Sequence, residues 1–294
     1  MVTDAQTNTL YLADVLPRKF PRFYAELDNL FKGLNINIRL LPNAKDIWAV
    51  DYMPVQIDHN DFVQFLYNPD YLKPKKWHKT ISNGALIAES LGITTRASRL
   101  ILDGGNVVNS SNKVILCDKV LQENKSFSRL ETLSELKSTF HVDEVLLIPQ
   151  QPGDFIGHAD GMIRFIDDHT VLINDYSREK GSYQDKVMTA IKATGLDYVT
   201  LPYNPYQNRT MTQANGIYIN YLQMKGLIVM PIYGMQEDHE AFRLMEAMFP
   251  DSTIATIDCN DIANHGGVLN CISWNICVPG SEGISAHLKS ILRH

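Results

Sequence analysis

Gly157-His158-Ala159-Asp160-Gly161-Met162-Ile163-Arg164-Phe165-Ile166-Asp167-Asp168-His169-Thr170-Val171-Leu172-Ile173-Asn174 decides the fold. It opens on a glycine-flanked His-x-Asp. Two β-rich runs, 162–166 and 170–174, then flank Asp167-Asp168-His169, which is a hairpin signature. A helical stretch follows at 183–194, and a further β run, Tyr198-Val199-Thr200-Leu201, completes the unit. The order is polar loop, hairpin, helix, strand.

The same beat runs outward in both directions. Helix-like stretches recur at 20–32, 78–91, 127–140, 183–194 and 236–249, and β runs follow at 37–41, 98–102, 144–148, 198–201 and 253–257. Further hairpins are expected from Val107-Val108 and 113–117 around Asn109-Ser110-Ser111-Asn112. Another is expected from Ile217-Tyr218-Ile219 and 227–230 around Met224-Lys225-Gly226. In the stretch 127–140, Phe127, Leu130, Leu133, Leu136 and Phe140 predict one buried apolar stripe. A generic layered α/β fold would give part of this pattern. A closed cyclic array explains one thing more. After four of the β runs comes a loop with an unusual polar group: Asp51, Asp103, the pair His158/Asp160, and Cys271. Equivalent positions in a closed ring converge on its axis, so the repeat points to one site.

Composition narrows the chemistry. The 294 residues are 45% hydrophobic, enough for a large core, and no Ser/Gly linker divides them, so a single domain over 1–294 is expected. The formal charge of −6 disfavours a nucleic-acid partner and suits a small cationic ligand. No apolar run approaches the roughly 20 residues that span a bilayer, so no membrane partner is expected. Residues 1–6 lack a signal peptide's basic head and apolar core. Cys117, Cys259, Cys271 and Cys277 form no C-x-x-C pair and read as reduced thiols, which places the protein in the cytoplasm.

Each candidate residue has a plain structural reading beside the chemical one. Cys271, in His265-Gly266-Gly267-Val268-Leu269-Asn270-Cys271, is either a buried strand cysteine or a nucleophile that glycines present to a cleft. His158 and Asp160, if extended, share one face, where a histidine moves protons and an aspartate orients it or grips a cation. The alternative is a glycine-rich turn. No second His-rich motif completes a metal set, so no metal is expected. Trp48 and Asp51, in Asp46-Ile47-Trp48-Ala49-Val50-Asp51-Tyr52-Met53-Pro54, suit cation recognition or a surface loop. Asp103 ends a strand before Gly104-Gly105-Asn106 and alone reads as an Asp-Gly turn.

Together these segments resemble the agmatine deiminase and bacterial-type peptidylarginine deiminase family of guanidino-group-modifying enzymes. Residues 48–54 resemble its W-x-R-D-x-G-P, and 102–106 resemble its [ED]-G-G-N. Residues 157–161 are similar to its G-H-V-D. Tyr218-Ile219-Asn220 with Ile228-Val229-Met230-Pro231 resembles its Y-x-N leading to I-V-x-P. Met248-Phe249-Pro250 and 266–271 resemble its F-P and G-G-x-x-H-C. The resemblance implies the pentein, an α/β propeller of five ββαβ-type units around a pseudo-five-fold axis. It departs at Val50 (usually arginine), Met53 (glycine), Asn270 (histidine) and His265 (often a third glycine), and the chain is shorter than typical agmatine deiminases.

What the resemblance implies for function is a cysteine-dependent deiminase. Cys271, His158, Asp160 and Asp51 are its expected catalytic set, with Asp103, Asn220 and Trp48 as substrate-binding residues. It would convert a guanidino compound, such as agmatine or an arginine derivative, to a ureido product plus ammonia through a thiouronium on Cys271. No cofactor is needed. The alternatives are an amidinotransferase on the same scaffold and a non-catalytic guanidine- or polyamine-binding protein. A thiol amidase acting on neutral amides would not need several acids facing one ligand.

Overall fold

The computed structural model describes residues 1–179 and 181–280. Its strands form five sheets of three. Thr9–Ala13 (β1) and Ile38–Leu41 (β2) belong to the first. Val55–Asp58 (β3), Asp61–Leu66 (β4) and Arg96–Ile101 (β5) make the second. Val108–Asn109 (β6), Lys113–Cys117 (β7) and Glu144–Ile148 (β8) make the third. Ile163–Phe165 (β9), Thr170–Asn174 (β10) and Asp197–Leu201 (β11) make the fourth. Leu222–Met224 (β12), Leu227–Ile232 (β13) and Thr253–Asp258 (β14) make the fifth. Ser273–Ile276 (β15) returns to the first sheet.

Every sheet repeats one topology. An antiparallel hairpin passes its second strand through a crossover helix to a parallel third strand. The helices are Pro21–Gly33 (α1), Gly84–Ser90 (α2), Arg129–Phe140 (α3), Gly181–Ala193 (α4) and Glu237–Met248 (α5). Parallel pairing needs such a crossover, because a two-residue turn cannot return the chain in the same direction. In the first sheet the hairpin is made of distant segments. Strand β15 pairs antiparallel with β1, Thr9 opposite Ile276 and Leu12 opposite Ser273. That pairing closes the ring, and the five ββαβ units expected from the sequence are all present.

The helices cover the sheets with narrow apolar stripes. Helix α1 buries Phe23, Leu27 and Phe31, and α4 buries Tyr183, Val187 and Ile191, both at i, i+4, i+8. Each such side chain is worth about 1.5–3 kcal/mol of transfer free energy. The strands beneath supply Leu10, Leu12, Val63, Leu100, Ile115, Ile173 and Val229, all buried.

Three expectations need correction. The hairpin of the fifth sheet begins at Leu222, not at 217–219, where only a lone bridge from Ile217 to Tyr203 forms. Tyr218 and Ile219 are wholly buried, so their apolar character comes from core packing and not from a ladder. The helix expected over 78–91 is two pieces. A tight 3-10 segment runs over Lys75–Thr80, and α2 starts only at Gly84 under an Asn83 cap that accepts the Leu86 N–H. In α3, Leu130 is 80% exposed. Ser128 caps the helix in a box with Glu131, which sets the buried face as Thr132, Leu136, Thr139 and Phe140.

Candidate active site

Between units the chain makes a single helical turn just before a hairpin begins. These turns are Ala49–Tyr52 before β3, Gly104–Asn106 before β6, Ala159–Gly161 before β9 and Leu269–Ile272 before β15. Leu269–Ile272 packs on Ala49–Tyr52, which packs on Gly104–Asn106, which packs on Ala159–Gly161. The approach is close because glycine permits it. A Cβ on Gly104 would lie 2.0 Å from the Val50 carbonyl oxygen, and one on Gly105 would lie 2.6 Å from Asp51 Oδ1 and 2.7 Å from His158 Nδ1. Asn106 stitches two turns to β7: its Oδ1 accepts the N–H of Cys117 at 2.7 Å and of Ala159 at 3.2 Å.

This stack assembles the polar groups. His158, in extended backbone, caps the turn that carries Asp160, and Asp103 caps its own turn in the same way. The His-x-Asp motif is therefore a cap plus a 3-10 turn, not the extended strand considered from the sequence. His158 lies between two carboxylates, with Nδ1 3.4 Å from Asp51 Oδ1 and Nε2 3.0 Å from Asp103 Oδ2. All three side chains are buried. Asp160 Oδ2 accepts the Asn270 amide at 2.7 Å and lies 3.5 Å from Cys271 Sγ. Asn220 Oδ1 accepts the Cys271 N–H at 3.3 Å, and the Asn220 carbonyl accepts the Asn270 N–H at 3.2 Å. Asn220 thus fills the fourth stroke of the repeat, in the loop between β11 and β12.

A cavity of about 400 Å³ opens above these groups, and His158, Asp160, Asn220 and Cys271 line it. Asp51 and Asp103 are not in its lining; they flank His158 from behind. Trp48 lies against Gly267, where an added Cβ would be 2.6 Å from its ring and 2.9 Å from Cys271 Cβ. The outer wall carries Asp154, Glu179, Tyr203 and Tyr206, and Glu179 accepts the Tyr206 hydroxyl at 3.1 Å. Sequence reasoning missed these wall residues, since none belongs to a motif. It singled out Asn270 only as a departure, although its place beside Cys271 was signal enough. Val50, Met53 and Asn270 border one small separate cleft with Asp4 and Gly104, and none of the three lines the main cavity.

The electrostatics follow from burial and crowding of like charge. Burial pushes the Asp51 carboxyl far above the usual carboxylate range, and neighbouring Asp103 and Asp160 add to the shift against His158. Burial alone would depress His158, but Asp51, Asp103 and Asp160 outweigh it and raise the imidazolium. Burial, then Asp160 and Asp51, push the Cys271 thiol well above its ordinary value. Asp51 Oδ1 and Asp103 Oδ1 have no hydrogen-bond partner among the described residues. Surplus buried acid behind a cavity that Asp160 lines gives that cavity a negative field, the chemistry that suits a cation with N–H donors. Among the described residues no group of three or more His, Cys, Asp or Glu could hold a metal ion, and no helix is long and apolar enough to cross a membrane. All four cysteines are free thiols.

Comparison with known proteins agrees with this architecture. The chain superposes on an agmatine deiminase of C. jejuni with substrate bound, with a TM-score of 0.77 and 17% identity over 97% of this chain and 96% of that one. The arginine deiminase-like protein of Porphyromonas gingivalis gives 0.75 at 20% identity, over 93% and 97%. These likenesses establish the pentein fold. A relative in Streptomyces avermitilis, whose name assigns it provisionally to the agmatine deiminases, is 22% identical over 67% of this chain and 63% of its own length. One in Photobacterium profundum with the same name is 23% identical over 72% and 65%. The match therefore spans just under two thirds of either relative. The model of the Porphyromonas-type peptidyl-arginine deiminases matches residues 16–277, and on that extent the chain belongs to that family.

Proposed function

We propose that this chain is a cysteine-dependent hydrolase that converts a guanidino compound to its ureido product and ammonia. The observation that supports it most is the Cys271 sulfur, 3.5 Å from Asp160 in an acid-lined cavity that His158 also lines.

In this reading Asp160 accepts N–H bonds from the guanidinium and holds its central carbon over Cys271, while Asp51, which the sequence also offered for this grip, lies behind His158 and acts through it. The bound positive charge lowers the cost of ionising the thiol, which is otherwise held protonated, and the thiol proton leaves to solvent through the cavity that Cys271 lines. The thiolate adds to the carbon. His158, charged between its two carboxylates, gives its proton to the departing nitrogen, and ammonia leaves. The thiouronium stays on Cys271. Neutral His158 then takes a proton from water, the hydroxide adds to the carbon, and collapse expels the sulfur, which takes the hydroxyl proton and returns to the thiol as the ureido product forms. Asn220 keeps the Cys271 backbone in place, and Trp48 backs Gly267 beneath it.

The cavity wall supports a cationic tail. Asp154 and Glu179 line it, and no Lys or Arg does among the described residues. Arg178 stacks on the Tyr206 ring at 4.2 Å, outside that lining. A carboxylate tail, as in free arginine, would meet two acids and no cation. An amine tail, as in agmatine, would meet Glu179 and two tyrosines. The names of the matching relatives point the same way.

The test is product analysis by mass spectrometry and ammonia release, over guanidines with cationic, neutral and anionic tails. One ammonia per ureido product is expected, fastest with the cationic tail and absent in Cys271→Ala. Turnover that requires an added amine acceptor would make the protein an amidinotransferase. Tight binding with no product from any guanidine would make it a binding protein.

A further inference from the structure

The reaction as proposed uses nothing from the segment joining β4 to α2, yet one of its side chains reaches the carboxylate behind His158. Tyr71 sits in the turn Asp70–Leu72 and donates its hydroxyl to Asp103 Oδ2 at 2.6 Å. That same oxygen faces His158 Nε2 at 3.0 Å. The Tyr71 ring also meets the His158 ring edge-on, with centroids 6.3 Å apart.

The arrangement is held from below. Lys119 is 3% exposed. Its Nζ donates to the carbonyls of Phe155 and Ile156, both at 2.8 Å, just before His158 in the chain. It pairs with Asp70 at 3.0 Å and lies 4.7 Å over the Tyr71 ring. One buried cation therefore ties the segment leading into His158 to the turn that carries Tyr71.

We propose that Tyr71 is a positioning residue for His158: its hydroxyl fixes the Asp103 carboxylate and weakens that carboxylate's hold on the imidazolium. The inference rests on His158 being the group that moves protons. Asp51 faces Nδ1, Asp103 faces Nε2, and Asp160 presses from the turn that His158 caps. On the far side, Tyr67, Glu123 and Lys119 surround Tyr71 and Asp103. A histidine among three acids binds its proton tightly, but deimination requires it to release that proton and later take one from water. A second donor on Asp103 Oδ2 stabilises the carboxylate charge and makes it a weaker partner for the imidazolium. Burial, followed by Asp103, holds the phenol well above the ordinary tyrosine range, so Tyr71 remains a donor at neutral pH.

The experiment is the titration of the His158 ring by nitrogen NMR in ligand-free Tyr71→Phe, with His158→Gln used to assign the signal. The midpoint is expected to rise by about half to one pH unit, a fraction of one hydrogen bond to a charged group, since the phenol acts on His158 through Asp103. The basic limb of kcat, set by loss of the His158 proton, should move up with it, while KM changes little. Replacing Tyr71 by 3-fluorotyrosine, a stronger donor that keeps the ring, should move the midpoint down. A midpoint unchanged in both proteins overturns the proposal, whatever happens to activity or melting temperature. Because the titration needs no substrate, its outcome is independent of the reaction assigned above; wild-type turnover by His158→Gln would sink the latter alone.

Discussion

Asn270 holds Asp160 by the same oxygen that faces the Cys271 sulfur: 2.7 Å from the amide nitrogen, 3.5 Å from Sγ. The amide and the thiol thus share one Asp160 oxygen, and the shorter contact to Asn270 restrains the carboxylate beside the sulfur. Asn270→Ala is expected to lower kcat/KM by about 10- to 100-fold, the worth of one hydrogen bond to a charged group. Steady-state ammonia release measures this. A variant within twofold of the parent would show that Asp160 needs no such restraint.

Gly105 touches both partners of the central ion pair. A methyl group there must displace Asp51 Oδ1 or His158 Nδ1, each under 3 Å away. Gly105→Ala should therefore keep its circular dichroism spectrum while losing about 10²-fold or more in activity, the usual worth of a misplaced proton carrier. Gly105→Ala with normal turnover would mean that the Asp51–His158 contact is dispensable.

The proposed nucleophile, Cys271, is expected to be quiet at rest. With its thiol raised by burial and by Asp160 and Asp51, Cys271 should alkylate slowly at pH 7. Its rate should climb about tenfold per pH unit, as thiolate chemistry requires. Iodoacetamide labelling with peptide mapping separates it from partly exposed Cys277. A rate flat between pH 6 and 8 would indicate a thiolate formed without substrate.

Stability carries the signature of the raised histidine. His158 moves from an ordinary 6.5 to about 10 in the folded protein. A group raised on folding stabilises fully below its unfolded value, and that contribution is lost as pH rises toward the folded one. Asp51 is shifted in the same direction and so acts with the same sign. The melting temperature of the ligand-free protein should fall between pH 7 and 9, and His158→Gln should flatten the slope. A melting temperature that climbs across this range would contradict the buried-acid cluster.

Glu179 is the wall residue expected to read the tail. Glu179→Gln should raise KM about 3- to 10-fold for a cationic-tailed guanidine and leave a neutral-tailed one unchanged, in keeping with a partly exposed ion pair. Equal effects on both substrates would move tail recognition elsewhere.

Periodicity made the repeat legible because each helix buries one stripe and each hairpin turn is polar. The strand expected at 198–201 and the helix at 127–140 lie within two residues of their observed ends. The candidate cluster was legible because polar groups follow four of the five β runs; Asn220, after the fourth run, came from the resemblance instead. What escaped was tertiary in origin. Tyr218 and Ile219 look like strand residues but are buried in a loop. Leu130 looks like core, but the Ser128 cap turns it outward. Tyr71 stands among Asn68, Pro69 and Lys73 with no periodic pattern, and only folding brings it to Asp103, thirty-two positions away.

The pairing of β15 with β1 has a temporal side. Cys271 precedes β15 by two positions, while every acid around it comes from the preceding units. On the ribosome the acids emerge before Cys271 and before Asn270, which holds Asp160, so the cluster is complete only once the last strand has met the first. If the proposed reaction holds, that closing clasp is also the moment at which sulfur, acids and imidazole first share one cavity.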